Sequence, residues 1–286
     1  MSHSPETLLD RPDRKLLLVG RGFNLSKPIG QQALDLTGVE RPKNVLVIPS
    51  PANNPKAYKR YIGEPRKVFG ELGAKVKVLH GNPTSKTFKD PSAEQIANMV
   101  GEADVLWISG GNTTQARELF ERTGLGKEIL GSQGKVISGG SAGALLQAKQ
   151  GFSWYTPENH PELNEWVTEH GTGMLNAIVN VHGDYIEYEP WHGGIIDQPR
   201  YHYFEPYLME QWTQGNPDIP ELGIGIDDES AIAFAEGGFR VVNGEGTNPD
   251  RGVTSYHTRD SGLVEARFTP ATTQNFISLD HLRPAV

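Results

Sequence analysis

The first half of the chain repeats one pattern that restricts its fold: a short apolar run, a turn, and then a stretch with helical periodicity. The apolar runs, each rich in Val, Leu or Ile, are Lys15–Gly20, Asn44–Ser50, Lys75–Gly81, Asp104–Gly111 and Lys135–Gly140. Helical periodicity follows over residues 56–73, 91–103 and 113–130. Alternation of this kind is typical of βαβ units. We therefore expect an α/β fold with a doubly wound, mainly parallel sheet flanked by helices.

The second half of the chain is less regular. Its predicted elements are a strand over Ala177–Gly183, a helix from about His202 to Gln214, and a strand pair joined by a turn at Glu236–Gly238. Residues 246–286 indicate only short strands, which predicts a small C-terminal β extension. Because no linker or repeat interrupts the chain, we expect one domain over residues 1–286 with a core at about 15–245.

A glycine-rich turn follows the apolar run that ends at Gly140. Small residues surround a serine here, in the order Gly139, Gly140, Ser141, Ala142 and Gly143. A strand that passes through a glycine-flanked serine into a helix is the nucleophile-elbow arrangement, in which a tight turn exposes the serine hydroxyl at the sheet edge. We expect the helix to stop near Gly151, and the N–H of Ala142 to be placed to donate to an oxyanion. A tight or phosphate-binding turn has the same spacing, so both interpretations remain.

A second glycine-rich turn, within Ser109–Phe120, ends the preceding predicted strand. Adjacent parallel strands in doubly wound sheets bind ligands at their carboxyl ends. Gly110, Gly111 and Asn112 are therefore candidates for a second oxyanion donor and for orienting a substrate. Asn112 is equally suited to capping the helix that follows it.

Composition limits the chemistry of this site. The chain has no cysteine, which excludes a disulfide frame, a thiolate zinc site and a cysteine nucleophile. Its formal net charge of −8 argues against a nucleic-acid partner, which is bound largely through Lys and Arg. No run approaches the roughly 20 apolar residues of a membrane span, so we expect a soluble, cytoplasmic protein without a membrane partner.

The two glycine-rich turns together resemble those of peptidase family S51, serine peptidases that include aspartyl dipeptidase (peptidase E) and cyanophycinase. The resemblance extends from about Lys15 to Phe234. It implies a fold similar to class I glutamine amidotransferases, with Ser141 where those enzymes carry a cysteine. It also implies that neither a metal nor an organic cofactor is needed.

A serine nucleophile needs a base, and three histidines are candidates. His182 directly follows an apolar strand, and its position two residues after Asn180 is similar to that of the catalytic histidine in peptidase E. His192, followed by two glycines, resembles a residue of that family's substrate-side loop. His202 is the alternative base, because cyanophycinases have their histidine just before an aromatic helix. We assign His182 as the base and His192 as a substrate contact.

The acid of a triad would accept a hydrogen bond from the base. Asp228, within Gly223–Ala231, occupies the place at which the family has an acid after an aspartate, and Glu229 is adjacent to it. Some family members are assigned an acid about fifteen residues after the serine, where only Glu158 could serve here. An acidic run is also typical of a solvated turn. We predict Asp228 as the acid, with Glu229 and Glu158 as alternatives.

These assignments predict acyl transfer to water by a serine peptidase. The resemblance implies small aspartyl peptides or isopeptides as substrates, and Arg200 is the candidate for binding a substrate carboxylate. A cyanophycinase-like polymer hydrolase is one alternative, and a non-catalytic binding protein of the same fold is another. A glutaminase is disfavoured by the missing cysteine, and an esterase by the order Ser141, His182, Asp228. The oligomeric state stays open, with a homodimer as one option.

Overall fold

The computed structural model describes residues 9, 11, 13–21, 25–49, 55–79, 90–155, 165–184, 201–259 and 262–282. The strands are β1 (Lys15–Val19), β2 (Asn44–Ile48), β3 (Lys75–Val78), β4 (Val105–Ile108), β5 (Val136–Gly140), β6 (Ala148–Tyr155), β7 (Glu165–His170), β8 (Leu175–Val181), β9 (Leu222–Ile226), β10 (Ser230–Ala235), β11 (Gly238–Asn243), β12 (Val253–Arg259), β13 (Gly262–Phe268) and β14 (Ile277–Ser278). The helices are α1 (Lys27–Asp35), α2 (Pro55–Glu71), α3 (Ala93–Glu102), α4 (Thr113–Thr123), α5 (Leu125–Gly131), α6 (Ala142–Leu145) and α7 (Tyr201–Thr213). No helix in these ranges is long and apolar enough to cross a membrane.

The first sheet has eight strands in the order β14-β11-β10-β1-β5-β4-β2-β3. The five neighbouring strands β1, β5, β4, β2 and β3 are parallel. On the other side of β1, strands β10, β11 and β14 are added by antiparallel pairing. Side chains alternate along β1: Leu17 packs with helices α1 and α2, and Leu16 packs with α3, α4 and α5. Both faces are therefore covered, which is why the strands are continuous apolar runs.

A second sheet of six strands, in the order β13-β12-β9-β8-β6-β7, is built from the second half of the chain. Its β6, β8 and β9 are parallel, and its other pairings are antiparallel. One hydrophobic cluster contains residues of both sheets, such as Leu18 of the first and Val179 of the second. Helix α7 packs against the second sheet through Phe204 and Leu208. The two sheets therefore share a core.

The predicted α/β class is confirmed, and each of the first five apolar runs forms a strand, β1 to β5. The structure differs from the expectation of one sheet, because the second half forms a sheet of its own. The C-terminal residues extend both sheets, since β14 pairs with β11 in the first sheet and β12 pairs with β9 in the second. This pairing occupies backbone groups of β9 that an open sheet edge would leave unpaired. The turn predicted at Glu236–Gly238 does join a hairpin, β10 and β11.

The helix after Ser141 is shorter than predicted. It ends at Leu145, and β6 begins at Ala148, so Gly151 lies within a strand instead of at a helix end. The reason is tertiary, because β6 pairs with β8 on one side and β7 on the other. Strand pairing with partners elsewhere in the chain overrides local helical periodicity here.

Two carboxyl groups meet where α7 contacts the second sheet. Glu205 of α7 lies next to Glu265 of β13, and the Tyr256 hydroxyl donates a hydrogen bond to Glu205 Oε1 at 3.4 Å. Burial, together with the hydrogen bond and negative charge of Glu265, raises the pKa of Glu205 to about 7. The folded protein therefore holds a proton at this site that the unfolded chain releases at lower pH.

We predict that this pair makes the free energy of unfolding depend on pH. The raised pKa contributes stability that is fully present below the ordinary glutamate value and is lost as the pH rises through about 7. In Glu205→Gln the fall in unfolding free energy between about pH 5 and about pH 8 should be smaller than in the wild type. Urea unfolding at both pH values measures this fall. Glu210→Gln, at an exposed position on the same helix, is the control. An equal fall in Glu205→Gln and the wild type would contradict this assignment.

Candidate active site

Ser141 lies in a strained turn between β5 and α6. Its φ of 52° is in a region that residues with a side chain rarely adopt. The Ser141 N–H donates to the carbonyl of Val19 at 3.0 Å, and its own carbonyl accepts from Ala144 N–H at 2.8 Å. These contacts hold the unfavourable conformation in place.

Glycines beside Ser141 let neighbouring backbone approach the turn. A Cβ at Gly139 would lie 2.6 Å from the carbonyl oxygen of Gly143, and a Cβ at Gly143 would overlap the carbonyl oxygen of Ile108. Ile108 is the last residue of β4, which is the neighbour of β5 in the sheet. The tight strand-to-helix turn expected from the sequence is therefore present, and it packs against the end of β4.

Ser141 is within hydrogen-bond distance of the candidate base His182. Its Oγ lies 2.9 Å from Nε2 of His182. His182 follows β8 directly and has a φ of 60°, so the chain turns sharply at this residue. Gly183 comes next, and a Cβ there would overlap the ring of Tyr201. The start of α7 therefore packs directly against the turn that carries His182.

Asp228 lies on the other side of the same imidazole. Its Oδ1 accepts a hydrogen bond from Nδ1 of His182, and the Asp228 side chain is 4% exposed. Burial acts to raise the pKa of Asp228, but the hydrogen bond and charge of His182, with two nearby arginines, keep this pKa below its ordinary value. An ionised carboxylate at Nδ1 orients the ring so that Nε2 can accept a proton from the serine hydroxyl.

Charged residues that sequence reasoning missed surround Asp228. Arg21, which follows β1, has its Nη1 at 3.7 Å from Asp228 Oδ2 and at 3.7 Å from a carboxylate oxygen of Glu229. Asp184 accepts a hydrogen bond from the Asp228 N–H at 2.8 Å, and Arg251 forms an ion pair with Asp184 at 2.7 Å. Only the position of Asp184, two residues after the candidate base, gave a signal in the sequence.

Asp227, adjacent to the candidate acid, points to a different set of partners. It is fully buried, and it contacts the guanidinium of Arg267, the hydroxyl of Tyr201 and the N–H of Gly252. Burial and the negative charge of Asp227 raise the pKa of Tyr201 well above its ordinary value. Tyr201 therefore stays protonated and donates to Asp227.

Two of the alternative candidates for the acid and the base, Glu229 and His202, lie within the described residues. Glu229, with a φ of 62°, makes contacts with Arg21, Arg251 and Thr247. His202 is exposed on α7. Glu158, His192 and Arg200 lie outside the described residues, so their predicted roles stay predictions.

The predicted oxyanion residues follow the neighbouring strand β4. Because Ile108 pairs with Gly139, residues Gly110 and Gly111 continue beside the turn of Ser141. Asn112 caps α4, since its side chain accepts from the Gln115 N–H at 2.9 Å. Ala142 is the first residue of α6, where backbone N–H groups have no partner inside the helix. Within the described ranges, no group of three His, Asp or Glu side chains is placed to hold a metal ion.

The sequence and the fold are similar to those of known peptidases. The sequence matches the model of Peptidase family S51 over residues 16–242. No curated protein matches the chain. The crystal structure of a peptidase from an acI-B1 Actinobacterium is similar, with a TM-score of 0.60 and 18% identity over 93% of this chain and 97% of that one. A 1.5 Å crystal structure of a putative peptidase E protein from Listeria monocytogenes EGD-e has a TM-score of 0.52 and 16% identity, over 80% of this chain and 98% of that one.

We predict that the serine turn tolerates no side chain at Gly143. In Gly143→Ala the new methyl group would push against the carbonyl of Ile108, which should lower the free energy of unfolding by about 1–3 kcal/mol. Gly101→Ala, in α3, is the matched control. A Cβ there meets nothing within 4 Å, so it should raise stability by about 0.5–1 kcal/mol. Urea denaturation distinguishes the two, and equal effects would disprove the steric argument.

Proposed function

Because the chain belongs to peptidase family S51, we propose that it is a serine peptidase that hydrolyses small aspartyl peptides or isopeptides. Membership of a peptidase family supports peptidase activity in general. The serine mechanism is supported by one observation above all, the 2.9 Å contact of Ser141 Oγ with an imidazole whose other nitrogen binds Asp228. In this proposal Ser141 is the nucleophile, His182 the general base and Asp228 the acid.

The reaction would follow the steps of a serine hydrolase. His182 Nε2 takes the hydroxyl proton as Ser141 Oγ attacks the amide carbonyl of the substrate, and Asp228 stabilises the imidazolium that forms. His182 then returns the proton to the leaving amine, and the C–N bond breaks to leave an acyl-enzyme. A water molecule, deprotonated by the same imidazole, attacks the ester, and Ser141 regains its proton as the acid product leaves.

The oxyanion of the tetrahedral intermediate would be held by backbone N–H groups. The N–H of Ala142 at the start of α6 is one donor, and an N–H near Gly111 at the end of β4 is the second. Gly111 has a φ of 143°, which favours glycine and lets the backbone turn at this place. Asn112 supports this loop by capping α4.

The aspartyl specificity is proposed from the family resemblance. His192 and Arg200 are the residues that we propose to contact the substrate, with Arg200 binding its carboxylate. A cyanophycinase-like polymer hydrolase is less well supported, because α7 contains no arginine, whereas the helix after the histidine in that pattern does. A binding protein without turnover is disfavoured by the hydrogen-bonded connection from Ser141 to Asp228.

We predict that a fluorophosphonate probe labels Ser141 and that Ser141→Ala abolishes labelling. Ser141→Ala and His182→Ala should each reduce hydrolysis of a cleaved dipeptide by about four to six orders of magnitude, because both act in one proton transfer. His202→Ala should stay close to the wild type, since this residue is exposed on α7. A dipeptide library with Asp-Xaa and β-aspartyl members identifies the substrate. Loss of activity in His202→Ala with retention in His182→Ala would reverse the assignment.

We predict that the two adjacent acids differ in their effect on turnover. Asp228→Asn should lower kcat by about 10⁴-fold, because an amide at this place favours the wrong tautomer of His182. Glu229→Gln should lower kcat far less, since Glu229 contacts arginines instead of the imidazole. Steady-state kinetics on the best library substrate measures both. A larger loss in Glu229→Gln than in Asp228→Asn would exclude Asp228 as the acid.

A further inference from the structure

The part of the chain after the region matched by the family model contributes charged residues to the site. The match ends at residue 242, whereas Arg251 lies just before β12 and Arg267 lies in β13. Both guanidinium groups bind carboxylates at the turn between β9 and β10, which carries the candidate acid. Residues 246–282 thus do more than complete a sheet edge.

Arg251 contacts this turn and the turn after β8 together. Its Nε lies 2.7 Å from Oδ2 of Asp184, which is two residues after His182. Its Nη1 lies 3.4 Å from the carbonyl oxygen of Asp228 and 3.4 Å from Oε2 of Glu229. One side chain therefore joins the turn that carries the candidate base to the turn that carries the candidate acid.

Asp184 completes the connection between the two turns. Its Oδ1 accepts the backbone N–H of Asp228 at 2.8 Å, while its Oδ2 accepts from Arg251. The Asp228 side chain in turn accepts a hydrogen bond from Nδ1 of His182. A side-chain contact and a backbone contact of Asp228 thus both reach the turn after β8, where Gly183 N–H also donates to the carbonyl of Ile226 at 3.0 Å, and Arg251 binds the Asp184 carboxylate that accepts the Asp228 N–H.

Both turns contain backbone that needs such support. His182 has a φ of 60° and Glu229 a φ of 62°, conformations that cost residues with a side chain about 1–3 kcal/mol each. A strained turn relaxes when the contacts that hold it are removed. A shift of about 1 Å at a reacting group is enough to reduce a rate about 100-fold.

We propose that Arg251 is a positioning residue that acts through Asp184 to hold Asp228 and His182 in line with Ser141, an inference that rests on the proposed function. The side chains of Arg251 and Asp184 are 34% and 25% exposed, and a partly exposed ion pair contributes on the order of 1 kcal/mol to folding. Arg267 differs, because its partner Asp227 is fully buried and would be left unpaired. Arg251 therefore affects alignment more than stability.

The kinetic test uses Arg251→Gln, Arg251→Lys, Asp184→Asn and the Arg251→Gln/Asp184→Asn double variant. Arg251→Gln should lower kcat by about 10- to 100-fold with KM nearly unchanged, and Arg251→Lys should recover part of the loss. The double variant should be no worse than the poorer single variant by more than about twofold, because in this proposal Arg251 acts through Asp184. Circular dichroism and urea unfolding establish that each variant is folded.

Arg41→Gln is the matched control for these variants. Arg41 forms a bidentate ion pair with Asp104, at 2.8 and 3.0 Å. Asp104 directly precedes β4, so this pair lies at the opposite end of the parallel strands from Ser141. This variant removes an Arg–Asp pair, with side chains 56% and 13% exposed, without touching the site, so kcat should stay at the wild-type value. A kcat in Arg251→Gln that equals this control, or a change confined to KM, would overturn the positioning role.

A spectroscopic test does not depend on turnover. The Nδ1–H of His182 bound to Asp228 should give a downfield proton resonance in the wild type and in Arg41→Gln, assigned by its loss in His182→Ala. In Arg251→Gln this resonance should broaden or disappear, because the two turns move relative to each other. An unchanged resonance in Arg251→Gln would refute the inference. If the wild type neither hydrolyses peptides nor reacts with the fluorophosphonate, the proposed function fails, and the resonance still decides whether Arg251 aligns the pair.

Discussion

The hydrogen bond between Ser141 and His182 is the contact on which the whole site depends, because its partners come from different sheets. Ser141 follows β5 of the eight-stranded sheet, and His182 follows β8 of the six-stranded sheet. Their 2.9 Å separation is thus set by how the two sheets pack on their shared core. Hydrogen bonds weaken within a few tenths of an ångström. Core packing far from the site therefore controls the geometry of the contact between Ser141 and His182.

In the acidic turn between β9 and β10, two adjacent carboxylates have different partners. Asp227 is fully buried and is satisfied by Arg267, Tyr201 and the Gly252 N–H, as a buried carboxylate requires. Asp228 points the other way, towards His182. Since neighbouring side chains at a strand end face opposite sides, one carboxylate can hold the C-terminal strands while the next faces the imidazole.

The residues around the candidate site come from two regions of the sequence. The region matched by the family model contains Ser141, His182 and Asp228, whereas Arg251 and Arg267 follow it. Strand β12 pairs with β9 and β13 pairs with β12, which brings both arginines to the turn after β9. The same pairing that protects the edge of β9 therefore delivers the charges that surround the candidate acid.

The sequence by itself determined the features that depend on local constraints. Apolar runs of strand length predicted β1 to β5, and small residues around Ser141 predicted its tight turn, because sterics and burial act on neighbouring residues. Resemblance to family S51 added His182 and Asp228. Only the tertiary structure decided the second sheet, the strand β7 and the contacts of Arg251 with Asp184, since strand pairing and ion pairs join residues that are remote in the chain. It also decided which of three consecutive acids faces His182, because the direction of each carboxylate depends on the backbone turn at Glu229 and on partners that come from β13 and α7.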